Sequence, residues 1–117
     1  MKINQDNKIQ GIEITLEGAK NLTKKVLVGP DDGSNNIIMR QFTILSGGHT
    51  PKHKHNYEHV IKIIRGEGIA VDEKGKEHTV TIGQSIFVAP NDEHQFKNPY
   101  TEPFELFCII PNVEQKM

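Results

Sequence analysis

The chain has 117 residues, of which 35% are hydrophobic, and it carries a net charge of −1 at pH 7. This length predicts one domain, residues 1–117, around a single hydrophobic core. Acidic and basic residues are interspersed without a basic face, which argues against a nucleic-acid partner. Apolar runs span only a few residues, far short of the roughly 18 that a membrane helix needs, so we expect no membrane partner.

The N-terminal segment and the cysteine content favour a cytoplasmic location. Residues 1–7 are polar and lack the apolar core of a signal peptide. The single cysteine, Cys108, cannot form an internal disulfide, which is typical of a reducing compartment.

Turn-forming residues divide the chain at short intervals, and stretches rich in β-branched and aromatic residues lie between them. These stretches predict strands near Ile9–Leu16, Lys24–Val28, Ile37–Leu45, His59–Ile64, Gly68–Asp72, His78–Ile82, Ser85–Ala89, His94–Lys97 and Phe104–Ile110. No window has a sustained helical period, although Glu13–Asn21 has room for one turn of helix. The pattern therefore predicts an all-β sandwich or barrel.

Four histidines are the most distinctive chemical feature of the chain. His53, His55 and His59 occupy positions i, i+2 and i+6 of a segment that we interpret as a strand, where such positions share one face. His94 begins a later predicted strand. Imidazole is the commonest metal-binding side chain at neutral pH, so the four residues indicate a site for one divalent ion. Glu58 is the nearest rival to His59, but it would point to the opposite face, and His49 and His78 are not expected to be ligands.

Strand alternation also predicts which side chains lie beside this ion. In the last predicted strand, an outward Glu105 would turn the alternate apolar residues into the interior. Arg40 lies in an otherwise apolar strand, where it either extends outward to solvent or meets an anionic substrate. The expected pocket-lining residues are Arg40, Ile61, Phe96, Leu106, Cys108 and Ile110.

Two groups of residues have spacings that are similar to those of a known family. The first group is Gly47, His53, His55, His59 and Gly66, and the second is Gly83, Pro90, His94 and Asn98. In these spacings the chain resembles the cupin superfamily, with His59 where most cupins have glutamate and Asp92 where they have an inner glycine. The second group also departs by one residue on each side of Pro90, and the two departures cancel.

The resemblance implies a double-stranded β-helix, or jelly-roll, barrel over residues 36–111, preceded by N-terminal strands in residues 1–35. It is closest to small single-domain cupins with a four-histidine site, some of which are manganese proteins. A homodimer is implied as well, since small barrels cover their exposed strand edges.

The replacement of glutamate by His59 leaves the metal identity open. Four neutral imidazoles leave a divalent ion with a charge of +2, which favours anionic ligands and strengthens it as a Lewis acid. Imidazole suits Zn, Cu, Fe and Ni, whereas a carboxylate favours Mn. Manganese is the first expectation, and Fe, Cu, Zn and Ni remain alternatives.

The expected function is that of a metal-dependent enzyme acting on a small organic molecule. Oxygen-dependent oxidation or cleavage, as in a dioxygenase, is the first expectation, and metal-assisted isomerisation is the second. A non-catalytic module that binds a small ligand or a metal is the alternative from another class. The sequence does not decide between catalysis and binding, because one fold carries many chemistries.

Overall fold

The computed structural model describes residues 1–113 and 117, and over these residues it shows a curled antiparallel sheet. Two 3-10 helices, Asp6–Lys8 and Pro30–Asp32, lie outside the sheet. Within the described residues, no helix has the length and apolar character needed to cross a membrane. The strands are β1 (Ile12–Glu13), β2 (Lys20–Val28), β3 (Ile37–His49), β4 (His59–Arg65), β5 (Glu67–Val71), β6 (Glu77–Thr81), β7 (Ser85–Val88), β8 (Gln95–Lys97) and β9 (Phe104–Pro111).

The strand order is β6–β5–β8–β3–β9–β4–β7, with β2 paired to β3 and β1 paired to β2. β3 pairs with β9 from Ile37 to Ile44 and with β8 only at His49. One long strand therefore joins a β6–β5–β8 half of the sheet to a β9–β4–β7 half. The all-β jelly-roll architecture predicted from the sequence is confirmed.

The core lies between these two halves and follows directly from strand alternation. On β9 every second residue is buried: Phe104, Leu106, Cys108 and Ile110 are at most 3% exposed. Cross-strand pairing aligns Arg40 of β3 with Cys108, and Cys108 with Ile61 of β4. Burying such apolar rows is the main favourable term in folding.

Asn98 holds the chain where β8 ends. Its side chain is 1% exposed, and its Nδ2 donates to the carbonyls of Ile44 and Glu102, both at 2.8 Å. Its Oδ1 accepts the N–H of Tyr100 at 2.9 Å. A buried amide costs free energy unless it is hydrogen-bonded, so Asn98 serves the fold by satisfying three backbone groups.

Two of the motif glycines, Gly66 and Gly83, lie in the connections between strands, whereas Gly47 lies within β3. Gly66, between β4 and β5, has φ +73, and Gly83, between β6 and β7, has φ +91. Side-chain-bearing residues rarely adopt this left-handed region. A Cβ at Gly66 would also overlap the Pro103 carbonyl.

Two predictions for the N-terminal third are wrong. The strand expected near Ile9–Leu16 is reduced to Ile12 and Glu13; the next residue, Ile14, donates its N–H to the Leu22 carbonyl of β2 at 2.9 Å and packs against the core. The turn of helix allowed by Glu13–Asn21 is instead one hydrogen-bonded turn, in which the Ala19 N–H donates to the Leu16 carbonyl. Gly18, with φ +86, interrupts helical geometry there.

Candidate metal centre

His53 and His55 lie on the loop between β3 and β4. The prediction that His53, His55 and His59 share a strand is wrong, because residues 50–58 form no ladder beyond one isolated bridge between His53 and His94. In that bridge the His53 N–H donates to the His94 carbonyl at 3.1 Å, and the His94 N–H donates back at 2.9 Å. β4 begins at His59, and β8 begins at Gln95, one residue after the predicted start.

Backbone hydrogen bonds fix this loop against the segment around β8. Thr50 donates its N–H to the Phe96 carbonyl and accepts the Phe96 N–H on its Oγ1, both at 2.9 Å. Farther along, the Asn91 N–H donates to the His55 carbonyl at 2.6 Å. Sequence reasoning missed Thr50, whose signal is a hydroxyl residue at the point where the strand gives way to the loop.

The structure brings the four histidine side chains close together. The candidate ligand nitrogens of His53, His55 and His94 all lie within 4.8 Å of one another. His59 is not part of that three-residue group, but its ring centroid is 4.8 Å from that of His55 and 5.0 Å from that of His94. His59 is 3% exposed, whereas the neighbouring Glu58 is exposed to solvent.

Burial favours the neutral form of three of these imidazoles, those of His53, His59 and His94. It lowers the pKa of His53 from 6.5 to about 3, and the neighbouring His94, His55 and Arg40 lower it further. Burial likewise lowers the pKa of His59 to about 3, followed by the effect of His94 and then Arg40. The pKa of His94 is also lowered, again chiefly by burial. A neutral imidazole is the form that binds a metal ion.

The hydrogen-bonding state of two ring nitrogens, one on His94 and one on His59, fits a metal site. The Nδ1 of His94 lies 2.8 Å from the Asp92 carbonyl, so it donates its proton there and leaves Nε2 as the lone-pair nitrogen. The Nε2 of His59 is buried and has no hydrogen-bond partner among the described residues. Buried polar atoms are normally satisfied, so this nitrogen fits a metal ligand.

An inner cavity of about 20 Å³ adjoins His53, His59 and His94. Of the expected pocket residues, Arg40, Ile61, Phe96, Leu106 and Cys108 line it, together with Phe42 and Thr50. Ile110 does not, because its partner across β3 is Ile38, farther along the core. The cavity has room for about one water molecule.

Arg40 points inward and is 3% exposed, so of its two alternatives the outward one is wrong. Its Nη2 donates to the Cys108 Sγ at 3.1 Å and its Nη1 to the Met117 main-chain oxygen at 3.0 Å. The guanidinium also lies 4.9 Å from the centroid of the Phe42 ring. Burial raises the pKa of the Cys108 thiol, and the nearby Arg40 opposes that shift.

Two larger spaces flank the histidines. The first, of about 540 Å³, is the outer pocket; it lies over His53 and His55 and includes Tyr57, whose ring stacks on that of His55 at 4.9 Å. The second, of about 520 Å³, is the β6–β7 cleft, which is lined by both strands and reaches His94. Both volumes are typical of sites for small organic molecules.

Residues 40–110 match the family model for the Cupin_2 domain, which covers more than half of the chain. The chain belongs to the cupin family. A search of curated proteins gives no match for this cupin. Its candidate metal centre lies within the matched residues.

Solved structures share the fold of this cupin. The polyketide cyclase RemF from Streptomyces resistomycificus has a TM-score of 0.92 and 24% identity, with 97% of this chain and 80% of that chain covered. A predicted oxalate decarboxylase from Thermotoga maritima has a TM-score of 0.84 and 18% identity, covering 96% and 100%. KdgF from Halomonas sp. has a TM-score of 0.75 and 10% identity, covering 94% of each chain.

Proposed function

We propose that this cupin is a metal-dependent enzyme that acts on a small organic molecule and holds one divalent ion through His53, His55, His59 and His94. The convergence of these four imidazoles carries the proposal. The ligand nitrogens of His53, His55 and His94 lie within 4.8 Å of one another. His59 lies beside them, and its buried Nε2 has no hydrogen-bond partner among the described residues.

A bound divalent ion would supply Lewis acidity and a preference for anionic oxygen ligands, since neutral imidazoles leave its charge of +2 uncompensated. Manganese is the first metal to test, on the strength of the family resemblance. The all-nitrogen donor set is equally suited to Fe, Cu, Zn or Ni.

The surroundings of the site support a small-molecule reaction. The inner cavity is too small for an organic skeleton, so a substrate body belongs in the outer pocket or in the β6–β7 cleft. Ile61, Leu106 and Phe42 form an apolar wall that excludes bulk water from the histidines. Arg40 adds a buried positive charge beside the same cavity, which favours an anionic oxygen there.

Oxygen-dependent oxidation or cleavage is the first reaction class that we propose, and isomerisation is the second. Two of the solved structures carry enzyme names, a polyketide cyclase and a predicted oxalate decarboxylase, and both names concern oxygen-rich organic molecules. We also infer a cytoplasmic setting, which the free, buried thiol of Cys108 supports.

Elemental analysis of protein purified without chelator or nickel resin tests the proposal. We expect about one divalent ion per chain in the wild type, and its loss in His53→Ala and His94→Ala. His49→Ala is the matched control, because His49 lies on β3 and is not part of the histidine group. Equal metal content in the wild type and the three variants would contradict the proposed metal centre.

Turnover is tested separately, by following oxygen uptake and product formation with a panel of small hydroxylated and carboxylated compounds. Turnover that needs the ion supports an enzyme. Full turnover by a metal-free variant contradicts the proposal, and binding of a panel compound without its consumption favours the non-catalytic module.

A further inference from the structure

His78 and Asp72 form a hydrogen-bonded pair on the β5–β6 hairpin, away from the four histidines. The His78 Nε2 lies 2.8 Å from the Asp72 Oδ2. The other carboxylate oxygen, Oδ1, accepts the N–H groups of Lys74 at 2.9 Å and Lys76 at 3.0 Å. Asp72 is thus fixed by its own turn and holds the imidazole in one orientation.

The protonation state of the pair follows from these contacts. The hydrogen bond from His78, followed by that from Lys76, lowers the pKa of Asp72 below its ordinary value of 3.8, so its carboxylate is ionised at neutral pH. A carboxylate can only accept, so the shared proton is on the His78 Nε2. A neutral ring then presents its unprotonated Nδ1, to which none of the described residues hydrogen-bonds.

Both side chains line the β6–β7 cleft, the space that reaches His94. Pairing across the sheet sets His78 opposite Ala70, and Ala70 opposite Phe96, so His78 projects from the same sheet face as Phe96. His94, two residues before Phe96, also lines the cleft. The cleft therefore has a fixed imidazole toward β6 and a proposed metal ligand toward β8.

The remaining cleft lining restricts what can enter. Its other ionisable groups are carboxylates, Glu73 on the hairpin and Asp92 and Glu93 before β8, while Gln84 and Ser85 at the β7 side are neutral. Acidic walls disfavour a ligand that arrives as an anion. Apolar surface on the two sheet halves, from Val80, Ile86, Val88 and Phe96, accommodates a carbon skeleton.

We propose that His78, oriented by Asp72, is the proton-transfer group of this cleft, and that the cleft takes a neutral phenol or enol with an apolar body. The ligand O–H bond breaks, its proton bonds to the His78 Nδ1, and the electron pair stays on the oxygen as a phenolate or enolate. Asp72 stabilises the resulting imidazolium, as the carboxylate of a catalytic triad does. An alkyl alcohol transfers its proton to an imidazole only while its oxygen forms a new bond, as in that triad, so the more acidic phenol or enol is the ligand class that fits a simple proton transfer.

The inference rests on the proposed function only for the ion at the His94 end of the cleft. An indicator phenol, 4-nitrophenol, tests the proton transfer itself, because only its phenolate is yellow. The probe is added to wild-type protein, with and without bound metal, at a pH where the free probe is mostly phenol. We expect binding to raise the phenolate fraction several-fold, and to shift the methyl NMR signals of Val80 and Val88.

Three variants separate proton transfer from a structural role. His78→Gln keeps both turn hydrogen bonds of Asp72, and we expect it to bind the probe as the phenol and to retain its metal. Asp72→Asn should lower the phenolate fraction by loosening the orientation of His78, whereas His49→Gln should match the wild type. A phenolate fraction unchanged in His78→Gln, or Val80 and Val88 signals that do not respond to the probe, would overturn the proposal. Asp72→Asn indistinguishable from wild type would remove the positioning role.

The two failures remain distinguishable. Loss of the metal-centre hypothesis, through unchanged metal content in His53→Ala, leaves the His78-dependent colour change in metal-free protein intact. Conversely, a normal metal content with no His78-dependent colour change defeats only the present inference.

Discussion

At the scale of single residues, the candidate centre depends on how its rings are held. The Nδ1–H of His94 donates a hydrogen bond to the Asp92 carbonyl, which leaves Nε2 free to bind a metal ion. His59 leaves a buried nitrogen without a hydrogen-bond partner among residues 1–113 and 117. In a metal-free protein such a nitrogen is a cost to the fold, since buried polar atoms lose their bonds to water.

The adjacent residues Glu58 and His59 give a direct test of which side chain is the fourth ligand. We expect His59→Ala to weaken metal binding by more than about 100-fold, because even indirect disturbance of a metal ligand costs about 10- to 100-fold. Glu58→Ala should leave the affinity unchanged, since its side chain is exposed. Competition titration with a chromogenic chelator measures both, and the reverse order of effects would contradict the assignment.

The proximity of the four histidines could be predicted from the sequence because the spacing of the two motifs is specific. The local structure could not be predicted, since periodicity alone cannot tell a strand from a loop that a partner segment holds extended. His53 and His55 reach the site through hydrogen bonds to His94 and Asn91, which are distant in sequence. The pair formed by Asp72 and His78 was missed for a different reason, since neither residue belongs to a motif.

At the scale of secondary-structure elements, the sequence predicted most strands closely, at the edges of the sheet as well as inside it: β4, β7 and β9 begin at the predicted residue and end within one residue of the predicted end. β3, β4 and β9 alternate between buried and exposed residues, and their predicted positions agree with the structure to within a few residues. β1 has β2 as its only partner over the described residues, so its length is set by packing that composition does not reveal. The Pro30–Asp32 helix was missed because one turn is too short for a periodic pattern.

That short helix gives a prediction of pH-dependent stability. Asp32 accepts hydrogen bonds from the Asn4 side chain and the Gly29 N–H, both at 3.0 Å, and these lower its pKa below 3.8. A depressed folded-state pKa stabilises the protein above pH 3.8, and that stabilisation is lost as the pH falls through the lower folded-state value.

Asp32→Asn should therefore be less stable than wild type at neutral pH, with the difference closing as the pH falls below 3.8. Urea unfolding at a series of pH values measures the free energy of unfolding. Asp31→Asn, on the same helix and exposed, is the control. A difference that grows on acidification would contradict the role assigned to Asp32.

At the scale of the whole molecule, an apolar row crosses the outer face of the β9–β4–β7 half. Val60 pairs with Phe87 on one side and Ile109 on the other, and their exposures are 51%, 61% and 37%. Pairing continues the row from Ile109 to Met39 and from Met39 to Val28. An apolar surface that extends over five strands favours association, so we infer that a second copy of this chain covers it.

Val60→Lys should break such a homodimer. A lysine at the centre of the row would bury an unpaired charge in the dimer, so we expect the dissociation constant of the dimer to increase by more than about tenfold. Thr79→Lys, an exposed position on β6 in the other half of the sheet, is the matched control. Sedimentation velocity over a concentration series measures the change, and a wild-type monomer at every concentration would refute the dimer.

The placement of the histidines also bears on how such a protein can diverge. An ion held by the loop, by β4 and by the residue preceding β8 would tie together segments from both halves of the sheet. Anything that binds only the native chain adds to its resistance to unfolding. Substitutions in the outer pocket or the β6–β7 cleft could then exchange one substrate for another while that reinforcement persists.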